Sequence, residues 1–314
     1  MAFIGKRLFI TLVTLIIVSL FTFAAFTLIP GDPATLILGI EASEEQVAAL
    51  RAEMGLDRSF PERYFRYIQG FITGNLGNSI RFQGAPISGM ILERLPVTFS
   101  LAGLSLVFII AIAIPSVLIS VKREGSWMDR LMNTLTTVNI SLPGFFLGVL
   151  FIWFFGIILK LFTPGAYVGY KVNIPRFLGY LVFPALAIAI PNAAILIKFL
   201  RTAIFKEFQN DYVRTAYSKG NSQRGTLYRH ILKNAIIPGI TVMGMIIADV
   251  FSGSIVIEQV FTIPGIGRLL ITAISSRDYH LVETLVLYIA FIVILANTLV
   301  DITIQIIDPR IRVH

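Results

Sequence analysis

Apolar residues gather into six long runs, at residues 8–29, 95–121, 131–159, 177–197, 235–257 and 284–300. A helix needs roughly 20 apolar residues to cross the hydrocarbon layer, and each run is of that scale. Only the fifth contains a charged side chain, Asp249. The pattern predicts an all-α membrane protein with about six transmembrane helices. The first run follows Lys6 and Arg7, as a secretory signal would. A signal core is usually about 7 to 15 residues long and ends in small residues. Residues 8–29 are longer and close on Thr27, Leu28 and Ile29, so they read as a retained first span.

Two polar stretches between the runs carry patterns of their own. Residues 30–94 far exceed an ordinary loop. Within residues 44–54, Val47, Leu50 and Met54 recur at helical spacing and Gly55 is a natural stop. Pro61 opens a second helix whose Tyr64, Phe65, Ile68, Phe71 and Ile72 are expected on one face, before Gly74. A third helix from Pro86 brings Ile87, Met90 and Ile91 into the second span. The segment is either a packed cap over the bundle or a docking surface for an extracytoplasmic partner, and the two are compatible. In residues 198–234, Tyr212, Val213, Ala216 and Tyr217 share one helical face, Gly220, Asn221 and Ser222 break it, and Leu227, Tyr228, Ile231 and Leu232 form a second face. Two short helices joined by a glycine break could lie along lipid headgroups; a partner-binding pair explains the aromatic anchors better.

Charge orients the chain. The N-terminus, residues 122–133, residues 198–234 and the C-terminal tail hold 15 of the 26 lysines and arginines, against 11 in the three longer connections on the other side. Positive loops face the cytoplasm, so both termini are expected there. The chain then divides into residues 1–29 (cytoplasmic N-terminus and first span), 30–94 (extracytoplasmic helical segment), 95–308 (transmembrane domain with its loop at 198–234) and a cytoplasmic tail at 309–314. Prolines 115, 143, 184, 191 and 238 fall within the runs. Each removes a backbone donor and tends to kink its helix, which means either irregular packing or a bundle built to rearrange.

Composition narrows the function. A mean hydropathy of +0.81 with 14% charged residues leaves too few polar side chains for a water-facing surface. The net charge of +8 forms no basic stripe with interleaved aromatics, which argues against nucleic acid. There is no cysteine, and the three histidines, His230, His280 and His314, have no metal-binding spacing. No G-x-x-x-x-G-K-[ST] occurs, so the energy for any transport must come from another subunit or an ion gradient. An ion-coupled secondary transporter would show internal repeats and several intramembrane charges, and only Asp249 lies deep in a span. A membrane enzyme would need H-E-x-x-H, G-x-S-x-G or a working acidic pair, none of which stands in or beside the spans.

The residues also resemble a family. Asp211-Tyr212-Val213-Arg214-Thr215-Ala216-Tyr217-Ser218-Lys219-Gly220, followed by Tyr228-Arg229-His230-Ile231-Leu232-Lys233-Asn234-Ala235, is similar to the cytoplasmic loop of permeases in the dipeptide, oligopeptide and nickel branch of ABC importers. Further words sit in matching order: Pro30-Gly31-Asp32-Pro33, Met54-Gly55-Leu56-Asp57, Gly74-Asn75-Leu76-Gly77-Asn78-Ser79, Glu93-Arg94-Leu95-Pro96-Val97-Thr98, Val256-Ile257-Glu258-Gln259-Val260-Phe261, Pro264-Gly265-Ile266-Gly267-Arg268, Arg277-Asp278-Tyr279 and Asp308-Pro309-Arg310-Ile311-Arg312.

The resemblance implies a type I importer permease fold in the inner membrane. Its partners would be a second related permease, two ATPase subunits that bind ATP and Mg, and an extracytoplasmic solute-binding protein, in contact with membrane lipid; this chain itself would bind no cofactor. Arg214, Thr215 and Ala216 would occupy the positions of a Glu-Ala-Ala pattern and Gly220 its glycine. The short helix after Gly220, with Ser222, Leu227 and Tyr228, would then be the coupling element that seats in an ATPase groove. Arg214 replaces the usual glutamate, and the expected proline comes only at Pro238. Tyr64, Asn75, Asn78 and Arg81 are candidates for docking the binding protein. Asp249 would either line the translocation path or bond to the partner permease.

Overall fold

The computed structural model describes residues 2–28, 33–39, 42–79, 81–82 and 84–307. Residues 30–32 and 308–312 of the family-like words, and the tail at 309–314, lie outside the described residues. Among the described residues there is no strand, and the chain is a helical bundle. In chain order the helices are α1 (Ala2–Leu28), α2 (Pro33–Leu38), α3 (Glu44–Met54), α4 (Phe60–Thr73), α5 (Ile87–Lys122), α6 (Trp127–Ser141), α7 (Gly144–Phe151), α8 (Ile174–Phe208), α9 (Asp211–Ser218), α10 (Gln223–Thr226), α11 (Leu232–Val260), α12 (Ile266–Ser275) and α13 (Tyr279–Ile307).

Among the described residues, five helices are long and apolar enough to cross a membrane: α1, α5, α8, the continuous rod of α10 and α11, and α13. The third apolar run departs from the expectation of one straight span. It is the pair α6 and α7, bent by 100° at a short break, with α7 prolonged by π-helical turns over Ile152–Ile158. The cause is local. Pro143 crowds the residue before it out of the helical region, and Leu142 is extended (φ −92°, ψ 123°). Gly144 then lets α7 lie close on α8, where a β-carbon would stand 3.2 Å from the Ala187 carbonyl oxygen. Pro115, Pro184, Pro191 and Pro238 instead lie inside unbroken helices.

The core is built around α8, which packs on α5, α6, α7 and α11. Of its most apolar stretch, 61% of residues are buried, against 17% for α1 and α13, which pack on each other at the edge. Alanines make this possible: Ala185, Ala187, Ala189, Ala193 and Ala194 are all buried on α8, where small side chains let neighbouring backbones approach. Thr11 and Thr298 share a hydrogen bond of 2.8 Å between α1 and α13, and an Arg7–Asp301 ion pair closes the same seam.

The outer connection forms as its pattern requires. Ser43 and Gln46 make a capping box on α3, and Gly55 ends it in the left-handed region at φ 68°. On α4, however, the five apolar residues do not share a face. Phe71 packs on Tyr288 and Phe291, while Phe65 and Ile72 are 72% and 78% exposed and point away from the chain. The helix α12 has no counterpart among the elements that the sequence pattern predicts. At 10 residues it is too short to span, and it buries Ile266, Leu269 and Ala273 beside α5, α11 and α13.

Candidate functional site

The segment between α8 and α11 carries the densest positive charge, and its first element is α9. Val213 and Ala216 are buried at 1% and 6% exposure, Tyr217 is exposed, and the Tyr212 hydroxyl donates to the Glu207 carboxylate in the last turn of α8. Burial first, and that neighbouring carboxylate next, push the Tyr212 phenol up from its ordinary pKa, so it stays a donor. The short helix is therefore fastened to the end of the most buried span. Arg214 projects outward, 82% exposed, with only Asp211 4.0 Å away; such a pair contributes little. Thr215 is exposed and donates to the Asp211 carbonyl.

Gly220 ends this element at φ 80°, with open space where a β-carbon would be, so conformation rather than room calls for glycine. Ser222 accepts the Gly225 amide at 3.2 Å and caps the next helix, as its place in the sequence predicts. Beyond that cap the structure corrects the expectation of a second short helix. α10 passes through π-helical turns at Leu227–Ile231 directly into α11, giving one helix from Gln223 to Val260. The reason lies in packing: Thr226, Leu227 and Ile231 are buried, the two apolar ones in the main core, so nothing frees this stretch from the span. The free-standing short helix thus precedes the glycine. Leu227 and Tyr228 part company; Leu227 is core, whereas the exposed Tyr228 ring has Lys122 Nζ 5.0 Å from its centre, and its hydroxyl accepts a hydrogen bond from that ammonium at 2.7 Å.

One turn deeper is a contact that sequence reasoning missed. Arg201 on α8 donates to both carboxylate oxygens of Asp129 on α6, at 3.2 and 3.1 Å, and its Nε donates to Ser120 Oγ on α5 at 3.0 Å. Asp129 also accepts the Ser120 hydroxyl and the Gly125 amide. Three helices are joined there by one guanidinium. The residues are 72 and 81 positions apart, and no local pattern in the sequence links them.

Asp249 lies on the exposed side of α11, and among the described residues it has no hydrogen bond or ion pair within this chain. The charged residue of greater structural consequence is Glu258, fully buried in the last turn of α11. Thr98 donates to it at 2.7 Å and the Arg268 amide at 3.1 Å, while the Ile266 amide donates to Thr98 Oγ1 at 2.9 Å. Here the words around Thr98, Glu258 and Gly265 meet: the start of α12 points its unpaired amides at a carboxylate and a hydroxyl. Gly265 and Gly267 are obligatory, because a β-carbon would come within 2.2 Å of the Glu258 carboxyl and 2.3 Å of Ile255 Cα.

A second buried carboxylate, Asp278, caps α13 through the Leu281 amide at 3.2 Å and takes the Ser79 hydroxyl and the Arg81 amide. His280 meets the Leu76 carbonyl at 3.0 Å. Of the four docking candidates, Asn75 and Asn78 are exposed, Arg81 has its backbone tied to Asp278, and Tyr64 is turned inward, sharing a 2.8 Å hydrogen bond with Ser19 and packing on Phe23. Tyr64 is therefore part of the cap and not of a free face. In the connection before α8, burial pushes the Tyr167 phenol up to about 12.

A multi-span bundle with an exposed, glycine-terminated helix fastened to its central span describes the membrane subunit of a transporter. Residues 116–313 match the family described as the binding-protein-dependent transport system inner membrane component, and residues 1–102 match the N-terminal part of the same kind of membrane component. The chain belongs to that family and is a multi-pass inner-membrane permease subunit of an ATP-driven importer. It is 33% identical over 310 residues to a probable peptide ABC transporter permease protein of Sinorhizobium fredii, covering 99% of both chains. It is 36% identical over 311 residues to a putative peptide transport system permease protein of Brucella abortus, again over 99% of both. A dipeptide transport system permease protein of Alkalihalophilus pseudofirmus is 32% identical over 332 residues, with 99% of each chain covered.

Proposed function

We propose that this permease passes peptides inward, with both termini and α9 in the cytoplasm. On this reading it pairs with a second permease, two ATPase subunits and an extracytoplasmic solute-binding protein, and the nucleotide and Mg belong to the ATPases. The observation that carries the coupling role is α9 itself. It is a free-standing helix whose Val213 and Ala216 hold it to the bundle while Arg214, Thr215, Tyr217 and Lys219 face outward. A subunit seated on those outward residues would push on α8 through the Tyr212–Glu207 contact and on the α10–α11 rod through Gly220 to Ser222. Lys and Arg counts support the cytoplasmic placement, and the descriptions of the relatives support peptides as the solute.

The test is Gly220→Leu and Arg214→Glu in the assembled transporter. Both should abolish peptide uptake and substrate-stimulated ATP hydrolysis while the chain still inserts and copurifies with its partners. Full uptake by Gly220→Leu would show α9 to be a surface anchor only. Reporter fusions after Gly125 and Gly84 check the topology, the first expected in the cytoplasm and the second outside. Asp249 is assigned to the translocation path, because α11 follows the coupling segment directly and a lone carboxylate in a span is expected to face a cavity or a partner. Asp249→Asn should then reduce uptake of cationic peptides selectively, whereas an equal loss for all peptides with a dissociated complex would place it at the permease interface.

A further inference from the structure

Where α1 ends and α13 begins, α4 closes over a cavity of about 810 Å³. Phe23 and Phe26 of α1 and Phe71 of α4 give it an apolar wall, and Arg63, Arg66 and Glu283 bring charge to it. Glu283 has a buried carboxylate oxygen, Oε1, with no hydrogen-bond donor. Its neighbour Tyr67 donates to the Glu283 backbone carbonyl at 3.3 Å and leaves the carboxylate alone. Arg63 and Arg66 also line the cavity. Arg58 is paired with Glu62, but among the described residues neither Arg63 nor Arg66 forms an ion pair. Arg63 lies 5.7 Å over the Phe23 ring, and Arg66 rests against Gly55. The cavity therefore offers two guanidinium groups and a carboxyl group with a donorless oxygen, beside an apolar wall.

That pattern suits a zwitterion with a greasy extension. A buried carboxylate oxygen is costly without a donor, and an ammonium satisfies it; guanidinium forks suit phosphate oxygens. The setting decides the source. α4 has no fully buried residue, it carries five aromatic rings and two arginines, and it leaves Phe65 and Ile72 exposed, as α1 leaves Phe21 and Leu28. These are the marks of a helix lying in the membrane interface. We propose that this cavity holds the head group of an ethanolamine phospholipid, its phosphate on Arg63 and Arg66, its ammonium on Glu283, and its acyl chains along Phe23 and Phe26. The site goes beyond the transport reading and does not depend on it.

Native mass spectrometry of the intact transporter, released from nanodiscs of equal phosphatidylethanolamine and phosphatidylglycerol, reads the site directly. Wild type should retain phosphatidylethanolamine in preference. Glu283→Gln should lower that retention about fivefold, corresponding to the loss of one modest charge-assisted contact, with phosphatidylglycerol unchanged. Arg66→Gln, a change at an exposed position that leaves the buried wall intact, should lower retention of both lipids. Unaltered lipid retention in both variants overturns the proposal. So does release of the retained lipid by a millimolar dipeptide, which would make the cavity a site for free zwitterionic peptides.

Discussion

The two ends of the bundle are held together by opposite means. At the α12 end, Glu258 and Asp278 are fully buried and take their partners from backbone amides and hydroxyls, with no cation in the contact. At the α9 end, the polar contacts include ion pairs and a cation–π contact: Arg201 with the buried Asp129, Arg7 with Asp301, Lys122 over Tyr228. Amide-to-carboxylate contacts in a dry setting have one good geometry, so they fix α5, α11, α12 and α13 against one another. Contacts near water tolerate exchange of partners and are individually weak. The end bearing Glu258 is thus the more tightly specified base, and the end bearing α9 depends more on contacts that reach water.

The largest effect should come from attacking the base. Gly265→Leu drives a side chain into the Glu258 carboxyl and should remove most assembled transporter from the membrane. Glu258→Ala leaves Thr98 and the Arg268 amide without their acceptor. At about 1–3 kcal/mol for each buried group left unpaired, it should lower the melting temperature of the complex markedly, measured by thermal shift in detergent. A melting curve unchanged by Glu258→Ala would dissolve the contrast between the ends.

Next comes the more buried of the two ion pairs named at the other end. Arg201→Ala leaves Asp129 buried beside Ser120 with no cation, and truncating one partner of a buried pair costs about 3–5 kcal/mol; the 28% exposure of Arg201 should bring this nearer to about 2 kcal/mol. Arg201→Lys should recover only part, because an ammonium cannot grip both carboxylate oxygens and Ser120 together. Equal stability of the Ala and Lys variants would show that charge at this position is immaterial. Tyr228→Phe removes the hydroxyl that Lys122 donates to but keeps the ring beneath the ammonium, and should cost no more than about 1 kcal/mol.

The smallest change in stability belongs to Arg214→Ala, within about 0.5 kcal/mol, since its side chain is 82% exposed and its one acid is 4.0 Å away. Uptake should nevertheless fall, so this variant sets the clearest contrast with Glu258→Ala: stability unchanged with transport impaired at one end, stability lost at the other. An Arg214→Ala transporter with wild-type uptake would remove Arg214 from the coupling surface.

The legible parts of this molecule are the local ones. The Gly55 and Gly220 turns and the Ser222 cap are written within four residues, because each satisfies a helix end from its immediate neighbours. The bend before α7 is also written locally, in Pro143, yet an unbroken apolar run conceals it, since hydrophobicity reports depth in the bilayer and not direction. The face of α4 is hard to read for a related reason: both its sides are apolar, one toward α1 and α13 and one outward.

That this chain lives in a membrane, where its apolar runs lie, and that a glycine interrupts the charged segment beside α9 all follow from the order of residues, because hydrophobic transfer and backbone conformation are set residue by residue. The contacts that fix the bundle arise otherwise. Thr98 meets Glu258 across 160 residues, Ser79 meets Asp278 across 199, and Arg201 meets Asp129 across 72. A buried polar group must find a partner wherever packing brings one, and which helices pack together is a property of their complementary shapes, so no local window of sequence holds the answer.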